Sequence, residues 1–231
     1  MESLSLNLPD AAQVTTMTDQ VFETLYAAVI SLELPPGTKV SEAEIAKRLD
    51  VSRQPVRDAF FRLSKLGFLT IRPQRATIVT KISVDAVLKA AFIRSALEVA
   101  CLRAAIEVID DDDIAGLAEM LERQTRAAEA GERALFHDLD DAFHHRLCKI
   151  GGHEYVWTMI KESKAHMDRV RFLSLSFNAR SALSDHYRLF ESIKAGDVEE
   201  AVERLKDHLS RIREHVVQIR QDHGQYFEDE E

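Results

Sequence analysis

Helix-breaking residues and cysteines are scarce in this chain. Its 231 residues include only eight glycines and five prolines. Long helices can therefore run uninterrupted, and a turn-rich all-β fold or a glycine- or proline-rich disordered chain is excluded. Two cysteines, Cys101 and Cys148, are too few for a disulfide framework. Both lie in apolar, helical surroundings and read as buried, reduced thiols. Residues 1–13 have neither a basic start nor an apolar stretch, and no segment approaches the roughly 18 consecutive apolar residues of a membrane span. The expectation is a cytoplasmic protein with no membrane partner.

What is present is a 45% apolar, 30% charged chain of 26.2 kDa, a length suited to two modest domains. The net charge of −9 argues against a nucleic-acid partner only as an average. Between residues 47 and 81 nine basic residues face two acidic ones, a local +7 that leaves −16 on the remainder. A basic segment joined to an acidic body can neutralise phosphates while the body is repelled from them.

Local signals give the basic segment a winged helix-turn-helix outline. A first helix is expected over 18–32, ended by Leu34-Pro35-Pro36-Gly37. A second starts at Ser41, with Glu44 placed for a capping box. Ser52 is expected to cap a third, Pro55 is tolerated in its first turn, and Gly67 ends it. Two short β-like runs follow, 68–71 and 77–81. The third helix of such a module enters the major groove by its N-terminal end. Arg53 and Arg57, four apart, point the same way, and an arginine fork can bond guanine O6 and N7. Ser52 and Gln54 are candidate phosphate or base contacts, and Arg72 and Arg75 sit where a wing reaches the backbone or minor groove.

The runs Leu34-Pro35-Pro36-Gly37, Ser41-Glu42, Ile45-Ala46, Val51-Ser52-Arg53-Gln54-Pro55-Val56-Arg57-Asp58-Ala59-Phe60 and Leu66-Gly67-Phe68-Leu69 resemble the N-terminal domain of GntR-superfamily transcription factors. Two departures are Arg75-Ala76, where Arg-Gly is common at the wing tip, and Phe61, where a polar residue is usual. Phe61 is expected to pack on the following domain.

From residue 83 the pattern is helical, with breaks at 110–113, 130–131, 151–152 and 195–197. About six helices in an antiparallel bundle are expected, with sites built from inward-facing side chains. Asp140 and His144 lie four apart beside the stripe Phe136, Leu139, Phe143 and Leu147. His186 interrupts the stripe of Leu183 and Phe190, and His208 that of Leu205 and Ile212. One buried histidine usually means a hydrogen-bonded core residue, but three with a carboxylate point to a shared metal. That donor set suits zinc, nickel or a similar first-row ion. His215 also fits an apolar stripe, whereas His137, His145, His153 and His166 fit less well and are expected at the surface or behind the ligands.

This constellation resembles the FCD effector domain of the FadR-like GntR branch. Asp140 to His144 matches its Asp-x-x-x-His helix, His186 and His208 its later histidines, and Arg94 and Glu98 its first long helix. Asp185 stands where glutamate is common and His153 where asparagine is. The resemblance implies a homodimeric transcription factor, usually a repressor, which binds operator DNA and whose metal-bearing cavity takes a small carboxylic or sugar acid. Arg94 or Arg169 is then the expected effector-binding arginine. Two alternatives are a DNA-binding regulator with a purely structural metal and a metal-dependent hydrolase. The expected organisation is a flexible 1–14, a DNA-binding domain over 15–81, a helical effector and dimerisation domain over 82–223, and an acidic tail over 224–231 whose end, 227–231, is solvated.

Overall fold

In the computed structural model, which describes residues 16–71 and 76–229, the chain is mainly helical with one small sheet. The expected flexible segment 1–14 lies outside the described residues. Helix α1 (Met17–Ile30) opens on a reciprocal cap, Thr16 Oγ1 accepting from the Asp19 amide at 3.1 Å while the Asp19 carboxylate accepts from the Thr16 amide at 3.1 Å. Strand β1 (Lys39–Val40) and helix α2 (Glu42–Arg48) follow, then α3 (Arg53–Lys65), β2 (Leu69–Thr70) and β3 (Thr77–Val79). The sheet order is β1-β3-β2, antiparallel throughout, with Lys39 opposite Ile78 and Leu69 opposite Val79. Val29, Val56, Ala59, Phe60, Leu63, Phe68 and Val79 close the core of this winged helix-turn-helix.

Three local details depart from the sequence reading. Strand β1 was not foreseen, because two residues carry no periodicity and it exists only through pairing with the wing. At α2 the Ser41 hydroxyl accepts from the Glu44 amide, but the Glu44 carboxylate turns to Arg48 at 2.8 Å instead of completing a capping box. Ser52 stands at the N-cap of α3, yet its hydroxyl makes no capping bond.

Six further helices build the bundle: α4 (Val84–Val108), α5 (Asp111–Ala130), α6 (Arg133–Ile150), α7 (Glu154–Lys194), α8 (Val198–Ser210) and α9 (Ile212–Asp222). Asp110 caps α5 and Asp197 caps α8 through their side chains, as their positions before acidic first turns suggest. The bundle core gathers Leu102, Leu117, Leu121, Phe143, Leu189, Ala201 and Leu205. Gly151 lets α6 approach α4 closely: a Cβ there would lie 2.8 Å from the Cys101 carbonyl oxygen. Cys101 and Cys148 are free thiols, 2% and 1% exposed. The α8–α9 break has no glycine or proline to announce it. There the Arg211 amide reaches back to the His208 carbonyl, and the Arg211 guanidinium donates to Ser181 Oγ at 2.5 Å and Asp185 Oδ1 at 2.7 Å.

The longest element, α7, has 41 residues and runs about 60 Å at 1.5 Å per residue. It serves both domains: Ala165 belongs to the winged-helix core, while Met167 and Val170 pack with Ile82, Val87, Ile212, Val216 and Phe227 in a cluster at the junction. The solvated end expected over 227–231 is corrected at Phe227, while Glu228 and Asp229 are exposed. Residues Gly224–Tyr226 form a 3-10 turn, Phe227 is 1% exposed, and the Ile82 amide donates to the Tyr226 carbonyl while the Glu228 amide donates to the Ile82 carbonyl. A lone aromatic at an acidic end carries no pattern, but burying it stabilises by about 2–3 kcal/mol. Among the described residues no helix is long and apolar enough to cross a membrane.

Candidate metal centre and DNA-reading surface

Helices α6, α7 and α8 bring Asp140, His144, His186 and His208 together, one donor atom from each lying within 4.8 Å of all the others. His186 Nε2 is 3.2 Å from His208 Nε2 and 3.6 Å from Asp140 Oδ1, and His144 Nε2 is 4.0 Å from Asp140 Oδ2. An oxygen stands near Nδ1 of every ring, and for His186 it makes a hydrogen bond. Gln124 on α5 donates its Nε2 to the Leu139 carbonyl, which fixes its amide so that Oε1 accepts from His186 Nδ1 at 2.7 Å. His144 Nδ1 lies 2.6 Å from Glu98 Oε2, off the line of an ideal hydrogen bond. His208 Nδ1 faces Asp185 Oδ2 at 3.5 Å. With protons on the Nδ1 side, three Nε2 lone pairs converge with a carboxylate, the arrangement that acceptors behind metal-binding histidines produce.

The electrostatics favour neutral rings at His186 and His208. Burial lowers the pKa of His186 well below the usual imidazole value, with His208 and His144 adding to the shift while Asp140 opposes it. Burial also lowers that of His208 against the pull of Asp185. Neutral imidazole is the ligand form. Burial would raise Asp140, but Arg171 and the neighbouring imidazoles hold it well below the carboxylate range. The same opposition, with Arg94 and His144 on the lowering side, keeps Glu98 ionised.

A cavity of about 50 Å³ adjoins this cluster, bounded by Arg94, Arg171, Asn178, Arg211 and His215 among others. Arg94 is 3% exposed and donates Nε to Glu98, yet its Nη2 has no partner among the described residues. Such an orphaned cationic donor is costly unless an anion meets it. Arg169 does not line this cavity. It donates to the Thr80 carbonyl at 2.7 Å and the Lys81 carbonyl at 3.4 Å, at the junction of the two domains. His215 does reach the cavity, beside Asn178 at 2.9 Å. His137 is buried rather than superficial, 3.7 Å from Asp168.

Sequence reasoning passed over Arg171, whose guanidinium bonds Asp140, Asp141 and Asp168 at once. Lys164 completes that network at 2.6 Å from Asp141 and 2.7 Å from Asp168. His137, Asp141 and Asp168 also stand close enough to suggest a cation, but the Lys164 ammonium already fills that role. The missed signal was the spacing of Lys164, Asp168 and Arg171, alternating charges on one face of a helix whose neighbours are apolar.

On the other domain, Ser52, Arg53, Gln54 and Arg57 are all exposed at the N-terminal end of α3. Arg57 Nε donates to Glu42 at 3.3 Å and Gln54 to Asp58 at 3.0 Å, both contacts that a nucleic acid can replace. Arg72 and Arg75 lie outside the described residues. Phe61 remains 58% exposed rather than packing on the bundle, with the Lys65 ammonium 5.2 Å from its ring centre.

Winged helix-turn-helix and helical bundle together define a class, the two-domain bacterial transcriptional regulators. Residues 17–79 match the model "Bacterial regulatory proteins, gntR family" and residues 90–211 match the FCD domain. The chain belongs to the GntR family, in its FCD-bearing branch. It is 35% identical over 213 residues to the HTH-type transcriptional repressor RspR of Escherichia coli K12, covering 91% of this chain and 93% of that one. A regulator encoded in an unstable DNA locus of Streptomyces ambofaciens is 33% identical, with coverages of 87% and 85%. The solved structure of E. coli McbR/YncC shares the fold at a TM-score of 0.76 and 22% identity, over 90% of this chain and 98% of that chain. The protein is a DNA-binding transcriptional regulator and not an enzyme.

Proposed function

We propose that this regulator is a homodimeric, cytoplasmic repressor whose bundle holds a divalent first-row metal, zinc or nickel, on Asp140, His144, His186 and His208. The reading rests on one observation: a donor atom from each of three imidazoles and one carboxylate lies within 4.8 Å of all the others, with an amide or carboxylate oxygen near the Nδ1 of every ring. When bound, the ion supplies a Lewis-acid position able to accept a small carboxylate. The effector is a small carboxylic or sugar acid, met at its anionic end by Arg94, whose Nη2 is otherwise unanswered. Arg169, committed to backbone carbonyls, is withdrawn from that role. Operator bases are read by Arg53 and Arg57, with Ser52 and Gln54 beside them and Arg72 and Arg75 on the wing. A dimer places two such heads on half-sites at a fixed separation.

The test combines metal analysis with thermal shift across an organic-acid panel, before and after chelation. The wild type is expected to carry about one ion per chain and to gain stability with particular acids only while that ion is present. The double variant Asp140→Ala, His208→Ala is expected to lose both, and normal metal content in it would defeat the ligand assignment. Stabilisation by metal with no response to any acid would favour a structural ion, a reading that leaves the Arg94 Nη2 unexplained.

A further inference from the structure

Between residues 164 and 171, α7 turns one face to the four-ligand cluster and the adjoining face to the DNA-binding domain. Lys164, Asp168 and Arg171 share the first face by helical spacing. Arg171 bonds Asp140, the only one of the four candidate ligands whose donor group is held by a cationic side chain. His166 and Arg169, three apart, share the second. Arg169 Nη2 lies 3.0 Å from His166 Nδ1; because a guanidinium only donates, that nitrogen accepts and Nε2 carries the ring proton. His166 Nε2 then donates to the Leu66 carbonyl at 3.0 Å, and Leu66 is the C-cap of α3. The same Arg169 holds Thr80 and Lys81, the residues that follow β3. Phe68 fills the space between, its ring 5.1 Å from His166 and 5.2 Å from the Arg169 guanidinium. At Gly67 a Cβ would sit 2.7 Å from His166 Nε2, so the chain is bare where the helix ring docks.

The site face is built to be disturbed. A cavity of about 50 Å³ holds a few waters but not an organic acid, whose pockets are several times larger. A ligand entering here meets the Arg171 guanidinium, which lines the cavity and bonds Asp140 Oδ2, while Asp140 Oδ1 faces His186 Nε2 at 3.6 Å. Arg171 keeps Asp141 and Asp168 as partners when it yields, so it can move without being left unpaired.

We propose that residues 164–171 form a two-faced lever, in which Arg171 releases Asp140 when the pocket fills and the His166–Arg169 pair carries the displacement to the C-terminal end of α3 and the chain leaving the wing. The lever rests on the functional reading in taking Asp140 as a ligand and the adjoining cavity as the place an effector enters. Coupling between distant sites requires a discrete element whose equilibrium both sites bias, and the variants below test whether this segment is one.

Hydrogen exchange on the full-length protein tests it. Arg171→Lys keeps the charge and loses the fork. Asp140→Asn frees the same guanidinium in a near-isosteric side chain, and serves if the first variant folds poorly. Both are expected to speed exchange about threefold or more in peptides over 62–71 and 76–83, with 111–130 unchanged. Arg169→Lys is expected to do the same, and the site variants should add nothing further in its background. Exposed Arg180→Gln on the same helix is expected to behave as wild type. Effects confined to 137–144 and 164–175, or full additivity with Arg169→Lys, would overturn the lever. Adding Zn²⁺ to the wild type separates the two readings: protection around Asp140 and His144 without change at 62–71 and 76–83 also overturns the lever, whereas no Zn²⁺-dependent protection at all overturns the metal assignment and leaves the variant results to decide the lever.

Discussion

At the scale of single residues, the acceptors behind the imidazoles decide how the candidate ligands behave. Gln124 is fully buried and holds His186 in both orientation and tautomer. Gln124→Ala is expected to weaken metal binding about 10–100-fold while the protein stays folded, measured by competition against a chromophoric chelator; unchanged affinity would show that His186 needs no such support. On the reading helix, Arg53→Ala or Arg57→Ala is expected to cost about 1–3 kcal/mol of operator discrimination with no change in melting temperature, and an unaltered gel-shift titration would remove that side chain from the recognition surface. His186 and His208 were conspicuous because each interrupts an apolar stripe, and Asp140 and His144 because they lie four apart beside one. Gln124 and Arg171 were not, since glutamine and arginine on a helix ordinarily face water and only packing reveals that these do not.

Elements were legible where their ends carry chemistry. Aspartates at the starts of α5 and α8, Gly67 after α3 and the double glycine after α6 all stand at real boundaries. The α8–α9 break escaped because the bonds that tighten it come from Arg211 to residues on α7, and β1 escaped because it is made by its partner strand. Two glycines set packing between elements. Gly67 has φ of +79° and faces His166, so Gly67→Ala is expected to destabilise by about 1–2 kcal/mol. Gly151→Ala introduces no left-handed strain but drives a methyl into the α4 backbone, an overpacking cost of about 1–3 kcal/mol. Chemical denaturation measures both, and a neutral Gly151→Ala would mean that α4 and α6 can slide apart freely.

Across the whole molecule, buried histidines make stability depend on pH. Burial lowers His186, His208, His166 and His215, so in each case the unfolded chain takes up the proton first. Their contribution is complete above about 6.5, the unfolded value, and is lost as pH falls below it. His137 runs the other way: burial alone would lower it, but Asp138 and Asp168 raise it, so its contribution grows as pH falls. Four groups outweigh one, and the melting temperature of chelator-treated protein is expected to fall between about pH 7 and 5.5, read by scanning calorimetry; a flat profile would contradict neutral, buried rings.

The sheltered thiols have a practical consequence. With Cys101 and Cys148 at 2% and 1% exposure, maleimide dyes should spare the native molecule and react only where a cysteine is engineered on the surface. Fluorophores placed on the reading head and on the outer bundle would then report distance changes without first stripping the endogenous sulfur.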